Sequence, residues 1–331
     1  MKKYLIATII VFFIIGFLIW NIFLAKNFSA QKELVFNIEK GQGSREIALN
    51  LEKQGLIQLA PIFRFYVTTV GVSGKLQAGS YLLSAKMNIP QIVEKFVSGE
   101  VIKIELVVPE GYGIIDIEKN LNSFNMDNPD ISSIKAKDFK SEFVFLKSAP
   151  DQISLEGFLF PDTYEFSYQV SREEIIKKML ANFDKKLTPD LRQEIGKQKK
   201  TVFQIITMAS LIEKEAKTKE DKEIVSGILW KRLKNKIPLQ VDATINYITR
   251  KQTIKVSLEE TKIDSPYNTY IYAGLPYGPI CNPGMESIKA AIYPKNSAYW
   301  YYLSDLEGKI IFSKTLEEHN IAKYKYLKNN E

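Results

Sequence analysis

A chain of 331 residues, 45% hydrophobic and 25% charged, can bury the cores of two or three domains and is too apolar to stay disordered. Its net charge of +7 is dispersed as lysines among acids, which sets nucleic-acid recognition aside and suits an anionic membrane surface or wall polymer. A single cysteine, Cys281, and a single histidine, His319, exclude a disulfide framework and a site with several histidine ligands, so chemistry falls mainly to carboxylates, hydroxyls and amides.

Met1-Lys2-Lys3 precedes a run from Tyr4 to Leu24 that carries no charged side chain and is long enough to cross a bilayer as a helix. A cleaved signal peptide competes with this reading, but the apolar run exceeds the usual signal core and no small-x-small site follows it. The lysines ahead of the run place the N-terminus in the cytoplasm and everything past Leu24 outside the inner membrane. Leu34 to Ile38 then alternates as a strand. Gly41-Gln42-Gly43 turns the chain into a helix capped by Ser44, with Ile47, Ala48 and Leu51 on its apolar face and Gly55 at its end. Gly79 to Leu83 reads as another strand, and Asn88-Ile89-Pro90 starts a helix that carries Ile92, Val93, Phe96 and Val97. The first pattern recurs at Leu106-Val107-Val108, where Ile117 and Leu121 follow Gly111 as Ile47 and Leu51 follow Gly41. Small strand–helix–helix–strand units fit this stretch.

Asn125 to Gln152 is polar and reads as helix fragments and loops. Leu155 to Tyr164 packs aromatics, acids, a Gly and a Pro into one segment, either a rigid packing corner or the wall of a sugar cleft, and its composition leans to the corner. Ser171 to Leu187 forms an amphipathic helix with a Ser171-x-x-Glu174 capping box. Thr188-Pro189-Asp190 starts a shorter helix, and Lys197 to Lys200 reads as a solvated connection. In the next helix Met208, Leu211 and Ile212 fall on one side with Glu215 between them, while Glu213 points almost the other way. A carboxyl among apolar neighbours is held protonated towards neutrality, as a general acid requires. Pattern alone favours the plainer reading, a rim residue paired with a lysine.

Asp221 to Leu233 is a further helix, stopped at Ile237-Pro238. Gln240, Asp242 and Thr244 stand at alternate positions, so an extended segment would point all three to one side, either as sugar-binding groups or as the polar face of an edge strand. Gly274, Pro276, Gly278, Pro279, Pro283 and Gly284 make a long stiff loop, and such loops are usually functional. Ser287 to Ile292 is a short helix, Tyr299 to Leu303 and Lys309 to Phe312 form a hairpin around Glu307-Gly308, and Glu317-Glu318-His319-Asn320 opens the last helix. There His319 reads as a structural hydrogen-bonding residue, and Cys281 as a small buried thiol.

Several of these segments carry a likeness. Phe36-Asn37-Ile38 with Gly41, Ser44 and Gly55-Leu56-Ile57, then Leu155-Glu156-Gly157 with Phe160 to Tyr164, then Met208 to Glu215, then Leu239-Gln240-x-Asp242-x-Thr244 follow in order. Tyr267-Asn268-Thr269-Tyr270, Gly274-Leu275-Pro276-x-Gly278-Pro279-Ile280, Asn282-Pro283-Gly284 and Glu318-His319-Asn320 complete the set. In this order they resemble the YceG-like family of endolytic murein transglycosylases over nearly the whole chain. Ala216, where the family often has Thr, and Ala243, where it often has Pro, depart from the pattern and are not expected to touch the chemistry.

The resemblance implies an α+β fold with a cytoplasmic stub at 1–4, a single transmembrane anchor at 5–24, a small LysM-like α/β module at 25–105 and a larger mixed α+β catalytic domain at 106–331. Glu215 corresponds to the family's catalytic acid. Gln240, Asp242, Thr244, Tyr267, Asn268 and Glu156 are the candidates for substrate binding, with no metal or cofactor implied. The expected activity is cleavage within peptidoglycan glycan strands between N-acetylmuramic acid and N-acetylglucosamine with a 1,6-anhydro product, and peptidoglycan synthases are implied partners. Two other classes stand beside it. A muramidase-type hydrolase could draw a second acid from Glu156, Asp162 or Asp242, and a non-catalytic wall-binding scaffold would bind sacculi without turnover.

Overall fold

The computed structural model describes residues 2–26, 32–122, 130–168, 170–251, 256–305 and 307–327. Of the expectations above, Met1 of the stub and residues 125–129 of the polar stretch lie outside the described residues. The fold is mixed α+β, built from helices and three two-stranded sheets among the described residues, and the chain divides into two compact units.

One unit holds the residues up to Glu105 together with Glu165–Val170. Its first element, α1 (Lys2–Phe23), is apolar past its two opening lysines, and Tyr4–Phe23 has a mean hydropathy of 2.7 with little of it buried, which makes it long and apolar enough to cross a membrane. Only its end is tied down. Ile22 joins the unit's core, the Asn88 amide donates to the Phe23 carbonyl at 3.2 Å, and Lys26 Nζ donates to the Ile57 carbonyl at 3.2 Å.

The rest of this core comes from β1 (Glu33–Ile38), α2 (Ser44–Lys53), α3 (Ala60–Thr69), β2 (Gly79–Ser84) and α4 (Ile89–Ser98). β1 and β2 pair antiparallel with Phe36 opposite Tyr81. Both rings pack on Phe96 of α4, with centroids 5.7 and 4.8 Å away, and Phe63 of α3 completes the cluster at 6.5 Å. Asn88 and Gln91 form a reciprocal cap on α4, as the Asn-x-Pro start suggested. The cap expected from Ser44 is absent. Gly43 is the capping residue, and Ser44 already lies in the first turn, where its hydroxyl has no helix N–H to receive.

β3 (Lys103–Val107) pairs with β4 (Thr163–Ser167). The repeat read from the sequence has a backbone counterpart, because Gly41 and Gly111 adopt φ of +84° and +80° and the apolar residues at matching offsets on the helix that follows each are fully buried. That conformation favours glycine. Ile47 and Leu51 lie on α2, and Ile117 and Leu121 lie on α5 (Ile114–Asn122).

The other unit, Leu106–Tyr164 with Ser171–Glu331, continues through α6 (Arg172–Lys186), α7 (Pro189–Lys197), α8 (Val202–Glu215), α9 (Lys219–Lys234), α10 (Asp242–Thr249), α11 (Met285–Ile292), β5 (Tyr301–Ser304), β6 (Ile310–Ser313) and α12 (Leu316–Leu327). α8 is its axis. Every residue from Ile205 to Ile212 is buried, because α7, α9, α10 and α11 pack around it. Most of the Leu155 to Tyr164 segment packs inward as a corner, with Phe158 stacked on Phe145 at 5.9 Å and edge-on to Phe183 at 5.5 Å, while its Glu156 reaches a cavity. Lys200 is not solvated as its charge run suggested. Its ammonium sits 3.7 Å above the Trp230 ring, where burial lowers its pKa. His319 packs by stacking on Tyr301 at 5.2 Å rather than through a side-chain hydrogen bond, and burial holds its pKa at about 4. Cys281 is fully buried.

Phe96 is the ring on which three others rest. Phe96→Ala should destabilise the N-terminal unit by roughly 3–5 kcal/mol, read as a lowered denaturant midpoint of the full chain. A change below about 1 kcal/mol would show that the cluster is not cooperative.

Candidate active site

Glu215 is the last residue of α8. Part of its surface remains open, while protein atoms crowd its carboxyl group. That desolvation is the main cause of a pKa raised to about 7; Tyr302 and the Ala243 N–H lower it by hydrogen bonding, and the nearby Asp242 raises it. Ala243 thus meets this carboxyl through its backbone N–H. Only a residue with a backbone N–H can make that bond.

The lysine considered as a partner for Glu215 belongs to Glu213. Lys222 Nζ lies 3.4 Å from Glu213, both side chains are almost wholly buried, and the carboxylate also accepts from the Gly284 N–H at 3.0 Å and the Ser287 hydroxyl at 2.6 Å. Glu213 does face away from Glu215, but the helix period says nothing about what covers that side, and here α9 and the start of α11 cover it. Glu110, raised by burial and by Glu213, lies against the same group.

The expected extended segment at Gln240 to Thr244 is replaced by a turn and a helix. Gln240 has φ of +56°, Val241 caps α10, and the three side chains diverge. Gln240 is exposed and accepts from the Arg232 guanidinium. Asp242 accepts from the Tyr270 hydroxyl. Thr244 is fully buried, donating to the Val241 carbonyl at 2.7 Å and lying 3.1 Å from the Thr269 hydroxyl. Asn268 is buried too. Its amide donates to the carbonyls of Thr261 and Ile263 at 3.0 and 2.8 Å, and its oxygen accepts from the Tyr270 N–H at 2.9 Å. Thr244 and Asn268 thus hold the backbone that presents Asp242 and Tyr270.

Tyr267 is half-buried, with its ring 4.9 Å from Tyr247 and 6.0 Å from Tyr277. Glu156 is buried and accepts from the Ile114 N–H at 3.1 Å and the Asn282 amide at 3.3 Å. Asn282 in turn accepts from the Gly157 and Leu159 N–H groups at 2.9 and 3.0 Å. Burial dominates at Glu156 and pushes its pKa to about 8. A cavity of about 670 Å³ opens between α5, the end of α8 and α10, and Glu156, Ala243 and Tyr247 line it.

Tyr302, the Ala243 N–H, Tyr270 and Arg232 were not among the residues expected here. The aromatic run Tyr299 to Tyr302 carried one signal. In a strand, alternate residues face opposite ways, so with Tyr301 stacked on His319 its neighbour Tyr302 turns to Glu215. Nothing in the sequence marks a backbone N–H as a donor.

These features define a mixed α+β chain with an apolar N-terminal helix and a desolvated carboxyl beside an open cavity lined largely by polar residues. The chain belongs to the YceG-like family, whose model matches residues 36–325. A relative from Bacillus subtilis (strain 168), named endolytic murein transglycosylase, is 37% identical over 306 residues, which cover 88% of this chain and 84% of the relative. A relative of the same name from Streptococcus pneumoniae serotype 2 (strain D39) is 31% identical over 327 residues, covering 89% of this chain and 59% of that longer protein. A solved structure of a YceG-like protein from Listeria monocytogenes superposes with a TM-score of 0.61 at 35% identity, covering 88% of this chain and 99% of that one.

Removing one member of a buried ion pair strands the other. Glu213→Gln should therefore cost roughly 3–5 kcal/mol, measured by thermal unfolding. An unchanged melting temperature would show that Lys222 does not need its partner.

Proposed function

We propose that this chain is a membrane-anchored lytic transglycosylase that cuts peptidoglycan glycan strands internally, between N-acetylmuramic acid and N-acetylglucosamine. The observation that carries this reading is the Glu215 carboxyl, held near pKa 7 by desolvation beside an open cavity that Ala243 and Tyr247 help to line. Glu215 gives its proton to the glycosidic oxygen, and positive charge develops at C1 of the muramic acid. It then takes the proton of the C6 hydroxyl as O6 closes on C1, which leaves a 1,6-anhydro end without using water. One carboxyl suffices because the same group is acid and then base.

In this reading Asp242 faces the developing cation, and Tyr267 with Tyr247 and Tyr277 offers aromatic faces to the sugar rings. Gln240 meets substrate at the rim, Glu156 contacts it from the cavity floor, and Thr244 and Asn268 act from behind by fixing the loop. The apolar Tyr4–Phe23 helix anchors the chain in the inner membrane, with residues 1–4 as a cytoplasmic stub. Residues 25–105 serve as a LysM-like module and 106–331 as the catalytic domain outside the membrane. Such an enzyme trims or terminates nascent strands and works beside peptidoglycan synthases. A second reading, hydrolysis of the muramidase type, draws on Asp242, a carboxylate close enough to raise the Glu215 pKa and available to activate water.

Digestion of purified sacculi by wild-type protein and Glu215→Gln tests the proposal. The wild type should release 1,6-anhydromuramic ends and the variant should be slower by roughly 10²- to 10⁴-fold; reducing muramic ends would mean hydrolysis, and full activity in the variant would remove Glu215 from the mechanism. Because the protonated carboxyl starts the reaction, kcat should fall as pH rises through about 7. Ala243→Pro removes a hydrogen bond that favours the ionised form, so its alkaline limb should lie at higher pH than that of the wild type. A limb that stays in place would show that the Ala243 N–H does not tune the acid.

A further inference from the structure

Beyond Glu215, the cavity has a charge character that a glycan backbone does not call for. Lys119, Lys214, Arg250 and Lys251 line it, against the acids Asp116 and Glu156. Lys251 is engaged with Glu260 at 2.7 Å. Among the described residues, Lys119, Lys214 and Arg250 make no ion pair with a carboxylate. Asp116 accepts from the Gly113 N–H at 3.0 Å, so its charge is partly spent on its own loop. Glu156 is surrounded by Asp116, Lys214, Arg250, Tyr247 and Tyr267, and burial keeps it protonated at neutral pH, where it adds no negative charge.

Arg250 is built into place. It ends α10 in the left-handed region at φ +60°, which a side chain other than glycine adopts at a cost of about 1 kcal/mol. Its guanidinium lies 4.7 Å above the Tyr247 ring. The exposed guanidinium is held over that aromatic face by cation–π attraction, and its forked N–H donors suit a planar carboxylate. N-acetylated sugars carry no net charge, and the lactyl carboxyl of muramic acid is consumed in its amide bond. Negative charge on the strand therefore comes from the peptide that the muramic acid bears.

We propose that this cavity is a subsite for the acidic peptide on muramic acid, with Arg250 as its fixed carboxylate receptor and Lys119 and Lys214 as further cationic contacts. It rests on the reading of Glu215 as the acid of a glycan-cleaving site, since Ala243 both donates to Glu215 and lines the cavity. Binding of peptide there would hold the muramic acid in register with that carboxyl. Strands with free peptide carboxylates would then be preferred over strands whose peptides are removed or amidated.

The decisive experiment measures binding without turnover. Full-length Glu215→Gln protein in detergent is titrated with an uncross-linked disaccharide-peptide carrying free carboxylates, with its carboxamide counterpart and with the bare disaccharide. Affinity should fall by about tenfold or more when the carboxylates are amidated, and added Arg250→Ala should erase that difference while Arg250→Lys restores part of it. Higher salt should weaken the charged ligand selectively. Equal affinity for the free and amidated ligands, an Arg250→Ala variant that still discriminates, or equal displacement by inorganic phosphate would overturn the proposal. Lys119→Ala, at an exposed position, gives the same test if Arg250→Ala does not fold. Failure of the wild type to cut sacculi would sink the activity while leaving this binding result to stand or fall separately.

Discussion

A carboxyl group at the end of a buried helix is subject to opposing fields. Glu215 closes α8, where the aligned peptide dipoles present their negative end, and the protein around the carboxyl has taken away the water that would solvate a charge. Against this stand two donors, the Tyr302 hydroxyl and the Ala243 N–H in the first turn of α10. With α10 the positive end of a helix faces the same carboxylate. The balance leaves a pKa of about 7, from which a single group can give a proton and take one back. A carboxylate in water could not do the first, and a fully buried one without donors could not readily do the second.

Keeping that balance requires the helix to stay where it is, and the other side of α8 supplies the means. The Glu213–Lys222 pair reaches the Gly284 N–H and Ser287, so that one turn of the helix holds the start of α11 and the end of the stiff loop. The same loop carries Asn282, which bonds to the backbone at Gly157 and Leu159 and to Glu156. Gly157 shows how close the approach is. It has φ of +89°, and a Cβ there would lie 2.5 Å from Pro279 and 2.9 Å from Ile206. The two acids two residues apart divide the work, one fastening the loop and the other making no ion pair among the described residues.

Periodic features were legible before the fold was known. The helices that start at Asn88 and Ser171, the hairpin around Gly308 and the glycine turns at 41 and 111 follow from local chemistry. What sequence could not supply was the cover on each face. The helix period placed Glu213 opposite Glu215 but could not say that α9 and α11 lie there, and Lys222, nine positions further along among other lysines, gave no sign that it would be the partner. Alternation at Gln240, Asp242 and Thr244 fits a strand as well as a turn entering a helix, and the left-handed Gln240 decided it. The donors to Glu215 come from a backbone group and from a tyrosine 87 positions further along the chain, contacts that only tertiary structure creates.

The proposed reaction turns on the protonation of one carboxyl, and carbon-13 NMR of labelled glutamate carboxyls reads it directly, with Glu215→Gln used to assign the resonance. The Glu215 carboxyl should still be largely protonated at pH 6 and titrate with a midpoint near 7, as its desolvation requires. A midpoint in the ordinary glutamate range, about 4 to 5, would contradict it.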